Sequence, residues 1–170
     1  MTGNNGRGEP PTNAHEWPDD LPPCLIYVDK EGRMWHQGAE MIHKGINRLL
    51  TDHVELDPKG RYVIRFKGQE CFVEVEDTLF VINRVQTPDD ASESPPERLV
   101  ITLNDGTTED LDPTTLRQNK DHVMYATVKS GRFPARFLRT GYYQLAEHVI
   151  ETEDGFGVNL ASGVHRIAME

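Results

Sequence analysis

Apolar positions in this chain fall in short runs separated by Gly-, Pro- and acid-bearing breaks, and two stretches carry helical spacing. Residues 25–35 read as a β-hairpin turning at Asp29-Lys30-Glu31-Gly32, where the glycine supplies the positive φ that ends such a turn. Over 39–54, Ile42, Ile46, Leu49 and Leu50 recur at i, i+4, i+7 and i+8, one face of a helix. Asp57-Pro58-Lys59-Gly60 is a turn, after which Tyr62, Ile64 and Phe66 alternate with other residues as strands do. Gly68 turns the chain into Phe72-Val73-Glu74-Val75-Glu76, and 79–85 is a further apolar strand.

Residues 87–97 hold three prolines and several acids without periodicity, and read as a solvated loop. A strand over 99–103 meets Asn104-Asp105-Gly106, a strong turn signal. Asp112-Pro113 reads as a helix cap with proline at the first helical position. Strands over 122–128 and 133–137 flank a turn at 129–131. A helix is expected over 140–150, and a closing hairpin over 157–160 and 164–168.

This pattern repeats once. The hairpin glycine Gly32 returns as Gly131, the helix-end His53 as His148, and Gly60 and Gly68 as Gly155 and Gly163. The second copy is shorter by about one helical turn somewhere between its first hairpin and its helix end. Each half is hairpin, helix, hairpin, and each helix is expected to cover its own sheet, an α+β unit. The domain reading is a disordered lead-in over 1–22, an N-terminal half over 23–80 and a C-terminal half over 81–170 that includes the loop 87–97. Trp17, in the lead-in, is expected to dock on the folded part or to serve as a recognition segment.

Composition narrows the function classes. Formal net charge is −10, which disfavours a nucleic-acid polymer as partner, since such binding needs clustered cations. No apolar run approaches the roughly 20 residues of a membrane span, and the start of the chain lacks a basic region followed by an apolar one. No membrane partner and a cytoplasmic location are therefore expected. A bridge between Cys24 and Cys71 is open to the two cysteines, but two buried thiols are the expectation in a reducing compartment.

Gly38-Ala39-Glu40, Gly60-Arg61-Tyr62, Val73-Glu74-Val75-Glu76-Asp77 and Phe80-Val81, with the later Arg136 and a helix bearing Tyr143 and Leu145, resemble the bacterial domain-of-unknown-function family 1285. The resemblance covers residues 22–169. It implies a duplicated α+β fold whose second half looks like a pleckstrin-homology-type barrel. It implies no established enzymatic activity, and a nucleotide-like ligand between the halves with a role in signalling.

The candidate site pairs two charged stretches. Lys129, Arg132, Arg136 and Arg139 form a basic island in an acidic protein, and arginine forks suit phosphate or carboxylate. Arg132, Arg136 and Arg139 are expected to hold the anionic part of a small ligand and Tyr143 its flat part. Glu74, Glu76 and Asp77 would position the arginines or accept from donor groups. The competing reading is that these acids and arginines merely pair with one another.

The histidines lack ligand spacing, so no metal is expected. No Gly-x-x-x-x-Gly-Lys-Ser/Thr or Gly-x-Gly-x-x-Gly stretch implies a cofactor, and no nucleophile with a base can be nominated. Trp35, Phe80 and Phe133 are expected in the core. The functional expectation is a non-enzymatic ligand-binding or regulatory module. A protein-interaction module is the alternative, and a hydrolase drawing on Glu74, Glu76 and Asp77 the second alternative.

Overall fold

In the computed structural model, residues 20–170 apart from 90, 91 and 93 are described. Most of the expected lead-in, with Trp17, and part of the loop 87–97 lie outside them. The described residues form a β-rich α+β fold of two units. One comprises residues up to Asp29 and Arg33–Glu76; the other comprises Lys30–Gly32 and Asp77–Glu170. The second therefore takes in Lys30–Gly32 and residues 77–80 from the stretch that the pattern assigned to the N-terminal half. No helix among the described residues is long and apolar enough to cross a membrane.

In the first unit, β1 (Pro23–Val28) and β2 (Met34–His36) form the expected hairpin, with Val28 opposite Met34. Gln37 and Gly38 both take positive φ (49° and 81°), the demand of a two-residue hairpin turn. They return the chain as β3 (Ala39–Glu40), so the expected helix begins later, as α1 (Lys44–Asp52). His43 caps α1, its Nδ1 accepting from the Ile46 N–H at 3.2 Å. His53 ends it as expected, with its ring nitrogen 2.7 Å from the Leu49 carbonyl.

Three antiparallel strands follow, β4 (Val54–Leu56), β5 (Tyr62–Phe66) and β6 (Gln69–Val75). β6 joins the hairpin by pairing parallel to β1, giving the order β3-β2-β1-β6-β5-β4. The apolar face of α1 does not cover this sheet: Ile46 and Leu49 are about half exposed and only Thr51 of the helix is buried, while Ile42, just before the helix, is 81% exposed.

Residues 20–22, read from the pattern as lead-in, are built into this unit. Leu21 packs with Val63 and Phe72, and the Pro22 carbonyl accepts from the Phe72 N–H. Arg61 holds Asp20 at 3.0 Å and Asp57 at 2.6 Å. The expectation of free thiols is corrected: Cys24 and Cys71 form a disulfide, with Sγ–Sγ 1.99 Å. Parallel pairing of β1 with β6 sets Pro23 beside Phe72, and the register breaks there, with Leu25 at φ 61°. That break brings the two cysteines together. Pairing between strands so distant in sequence was not visible in the cysteine spacing.

In the second unit, β7 (Phe80–Gln86), β8 (Val100–Leu103) and β9 (Thr108–Asp110) run antiparallel in order. Asp112 caps a single 3₁₀ turn, Pro113–Thr115, as its sequence dictated. The short β10 (Arg117–Gln118) leads to β11 (Met124–Val128) and β12 (Phe133–Phe137), the expected second hairpin. Then come α2 (Arg139–Ala146), β13 (Val149–Thr152), β14 (Gly155–Leu160), β15 (Gly163–Arg166) and β16 (Ala168–Met169). α2 ends at Ala146, short of the expected Ile150, because Val149 and Ile150 pair with Val158 and Gly157 in β13 and β14.

The seven-stranded sheet has the order β16-β10-β11-β12-β7-β8-β9, while β13-β14-β15 stand as a separate sheet. The sheets close differently: β6 pairs directly with β1 in the first unit, whereas in the second β10 lies between β11 and β16. The larger sheet is strongly curled. Lys129, after β11, donates its Nζ to Asp105 at 2.6 Å and its N–H to Glu109 of β9 at 2.9 Å, although β9 is the far strand in the order.

Phe80 and Phe133 meet edge to face at 5.2 Å in this core, and Leu79, Val81, Ile82 and Ile101 are fully buried there. Trp35 is buried in the first unit, its indole N–H donating to Asp29 at 3.0 Å.

Candidate functional site

The connection from β7 to the start of α2 builds one cleft of the second unit. β12 runs parallel to β7, with Arg136 opposite Val81 and Phe137 opposite Ile82. The Leu138 N–H then donates to the Ile82 carbonyl at 2.9 Å, so α2 starts directly against the β7 backbone. Gly141 permits this approach: a Cβ there would lie 2.8 Å from the Ile82 oxygen. One turn on, Gln144 Oε1 accepts from the Val85 N–H at 2.7 Å, where β7 shifts register against β8.

The Asn104 side chain helps to hold the tip Lys30–Gly32. Asn104 Nδ2 donates to the carbonyls of Gly32 (3.0 Å) and Leu79 (3.1 Å), and its Oδ1 accepts from the Val81 N–H at 3.0 Å. With φ +76° and a would-be Cβ 2.7 Å from Asn104 Nδ2 and Val81 Cγ2, position 32 admits only glycine without strain.

These elements enclose a cleft of about 510 Å³ lined by Lys30 and Glu31 from the tip, Asn83 from β7, Arg136 from β12, and Arg139 and Thr140 from the first turn of α2. Arg136 is half-buried and donates Nη1 to Asp77 at 2.9 Å. Asp77 also accepts the Tyr125 hydroxyl at 2.9 Å. Burial first, and then this acceptor, push the Tyr125 phenol above its ordinary range. Behind Arg136, Thr78 is buried; its Oγ1 donates to the Phe80 carbonyl and accepts from the Arg136 N–H.

Asp77 takes one end of the guanidinium, and among the described residues no other side chain holds it. Arg139 is exposed, 5.7 Å over the Tyr143 ring, with no carboxylate partner among the described residues. α2 has no side-chain cap at its N-terminus, where Leu138 stands.

The structure distributes the expected site residues as follows. Arg136 and Arg139 line the cleft, Asp77 pairs with Arg136, and Tyr143 lies beside Arg139, 59% exposed. Arg132 is at the opposite end of β12, its Nε donating to the Lys129 carbonyl, and is not among the lining residues. Glu74 and Glu76 belong to the first unit. Glu74 stands opposite Tyr27 in register, and Glu76 accepts the Tyr27 hydroxyl at 2.9 Å. Burial and then that bond push the Tyr27 phenol up to about 12.

Lys129 is a structural member of the basic island. Burial alone would raise the Asp105 carboxyl, but bonds from Lys129 and Thr107 outweigh it and hold the carboxyl below its usual range. Lys30 and Thr140 were missed by the sequence reading, although Lys30 sits in the first recognised turn. Among the described residues no three metal-ligating side chains gather.

No family model matches the sequence, and no curated protein matches it. Two solved structures do. A DUF1285 family protein from Silicibacter pomeroyi DSS-3 is 19% identical with a TM-score of 0.70, covering 95% of this chain and 90% of its own. A DUF1285 family protein from Shewanella baltica OS155 is 17% identical with a TM-score of 0.58, covering 72% of this chain and 91% of its own. The chain resembles these DUF1285 family proteins and shares their fold.

Proposed function

We propose that this chain is a non-enzymatic ligand-binding or regulatory module whose second unit takes a small anion, phosphate-bearing or nucleotide-like, in the cleft of Lys30, Arg136 and Arg139. The observation that carries the reading is the gathering of three cations, against the one carboxylate of Glu31, with an uncapped helix start on one concave surface of a protein with net charge −10. A helix N-terminus favours negative charge, and an arginine already oriented by Asp77 loses less freedom on gripping an oxyanion. Tyr143, beside Arg139, would offer its ring to a flat group. A signalling role, an origin of the two units by duplication and a barrel-like second unit belong to the same proposal. So does cytoplasmic placement, against which the Cys24–Cys71 bridge weighs, since such thiols stay reduced there; alkylation of free thiols in intact cells decides it.

The test is a thermal shift with pyrophosphate and a nucleoside diphosphate, since a ligand of the folded state stabilises by mass action. Arg139→Ala should abolish the shift and leave the unliganded protein unchanged, because the side chain is exposed and unpaired. Arg132→Ala should leave the shift intact. Absence of any shift, or a shift that survives Arg139→Ala, refutes the reading.

The alternative, a protein-interaction module without a small ligand, draws on the outward Ile42, Ile46 and Leu49. It predicts that Ile46→Glu and Leu49→Glu abolish a complex that Arg139→Ala leaves alone.

A further inference from the structure

A second pocket lies elsewhere in the C-terminal unit, where α2, the β13–β14 hairpin, β10–β11 and β16 converge. Its volume is about 390 Å³, within the roughly 300–1,000 Å³ usual for small-molecule sites. Met124, Leu145 and Ile167 are buried and form its floor. Phe156 and Met169 form its rim and are 52% and 61% exposed. Large apolar groups left in solvent around an apolar hollow are costly unless something covers them. The two methionines supply adaptable, polarisable contacts for a flat or branched group.

The polar groups on the lining decide the chemistry. Tyr142, His122 and Glu151 face the pocket, and among the described residues no hydrogen bond engages the Tyr142 hydroxyl, the His122 ring or the Glu151 carboxylate. Glu151 carries the only formal charge on the lining, which includes no lysine or arginine. An anion would meet a carboxylate with no cation to offset it. A molecule with an apolar body and an ammonium end would satisfy Glu151 and present its charge to the Tyr142 or Phe156 ring face.

We propose that this pocket binds a small apolar amine, aromatic or branched-aliphatic, with its ammonium group at Glu151. The proposal is independent of the anion cleft, with which the pocket shares no lining residue.

The test uses the full chain labelled with ¹³C at its methionine methyl groups. Among the five methionines, Met124 and Met169 report on the pocket, and Met34 and Met41, in the first unit, serve as controls. Titration with 2-phenylethylamine should move the Met124 and Met169 signals and leave those of Met34 and Met41 in place. The neutral 2-phenylethanol should bind more weakly by about five-fold, the worth of one partly exposed ion pair, and 3-phenylpropanoate more weakly still.

Glu151→Gln should remove the amine's advantage over the alcohol. Ala146→Trp, at an exposed lining position, should fill the hollow and abolish both titrations, with unchanged Met34 and Met41 signals showing that the fold is retained. No movement of Met124 and Met169 up to the solubility limit of the amine overturns the pocket as a ligand site. Equal affinity for amine, alcohol and acid, or an amine advantage that survives Glu151→Gln, overturns the assignment of the amine.

Discussion

Gly141→Ala sets helix propensity against packing. In an ordinary helix the change is favourable, because glycine costs about 1 kcal/mol relative to alanine through its extra freedom in the unfolded chain. At position 141 the added Cβ would lie 2.8 Å from the Ile82 oxygen, 3.4 Å from its carbonyl carbon and 3.5 Å from the Arg84 nitrogen. All three are backbone atoms of β7, in a strand paired on both sides, so they cannot swing away as a side-chain tip would.

Relief therefore requires α2 to lift off the strand. Lifting stretches the Leu138–Ile82 and Gln144–Val85 hydrogen bonds, each worth roughly 1 kcal/mol net, and overpacking of this kind costs about 1–3 kcal/mol. The unfavourable terms exceed the propensity gain, and the expected net is a loss of about 1–2 kcal/mol. Urea unfolding measures it as a lower midpoint at unchanged slope. The same lift displaces Arg139 and Thr140, so the anion-dependent thermal shift should shrink. A variant more stable than the parent by about 1 kcal/mol would show that propensity alone governs the site and refute the argument.

Two further outcomes are expected from the buried pair and the bridge. Asp105 is depressed below its ordinary 3.8, so the stability it contributes is present above that value and is lost as pH falls through its lower folded value. Asp105→Asn, which leaves Lys129 without its charge partner, should cost roughly 3 kcal/mol at pH 7, with a gap that narrows in acid; urea midpoints at both pH values check this. The Cys24–Cys71 bridge closes a sequence separation of 47, for which loop entropy gives roughly 4 kcal/mol as an upper figure. Unfolding with and without reductant should differ by up to that amount, and the Cys24→Ser, Cys71→Ser double variant should be insensitive to reductant.

What the sequence revealed depended on whether an element's cause was local. Strand 133–137 was legible because its burial alternates strictly, with Phe133, Ala135 and Phe137 inward. The Asp112 cap was legible because cap, proline and turn are contiguous. The helices were legible in existence but not in extent. Ala39-Glu40 and Val149-Ile150 continue an apolar spacing of three and four, yet each pairs with a strand whose position the spacing does not encode. The two- and three-residue strands β9, β10 and β16 have no pattern of their own and exist because a neighbouring backbone offers them a ladder. The same division runs through the site. Arg136 and Arg139 stood out as a basic stretch, whereas Lys30 lies in a tip that Asn104, far along the chain, helps to fix.

The two helices are reached by different connections, and the difference bears on the proposed cleft. The helices are nearly equal, nine residues in α1 and eight in α2, so the four-residue difference in the sequence pattern is not a helical turn. It matches the Gln37-Gly38 turn and β3, four residues that the first unit places between its hairpin and its helix and the second unit lacks. Without them β12 runs through Leu138 into α2 with no intervening strand, which pins the helix start to Ile82 and sets Arg139 and Thr140 beside Arg136. In the first unit the chain passes through β3 before α1, and the His43 ring takes the Ile46 N–H. One helix start is capped by its own side chain; the other has no such cap and is flanked by cations. The proposed anion site at the α2 start thus draws on the direct connection from β12, and Gly32, held by Asn104, sets the tip that carries Lys30 beside it.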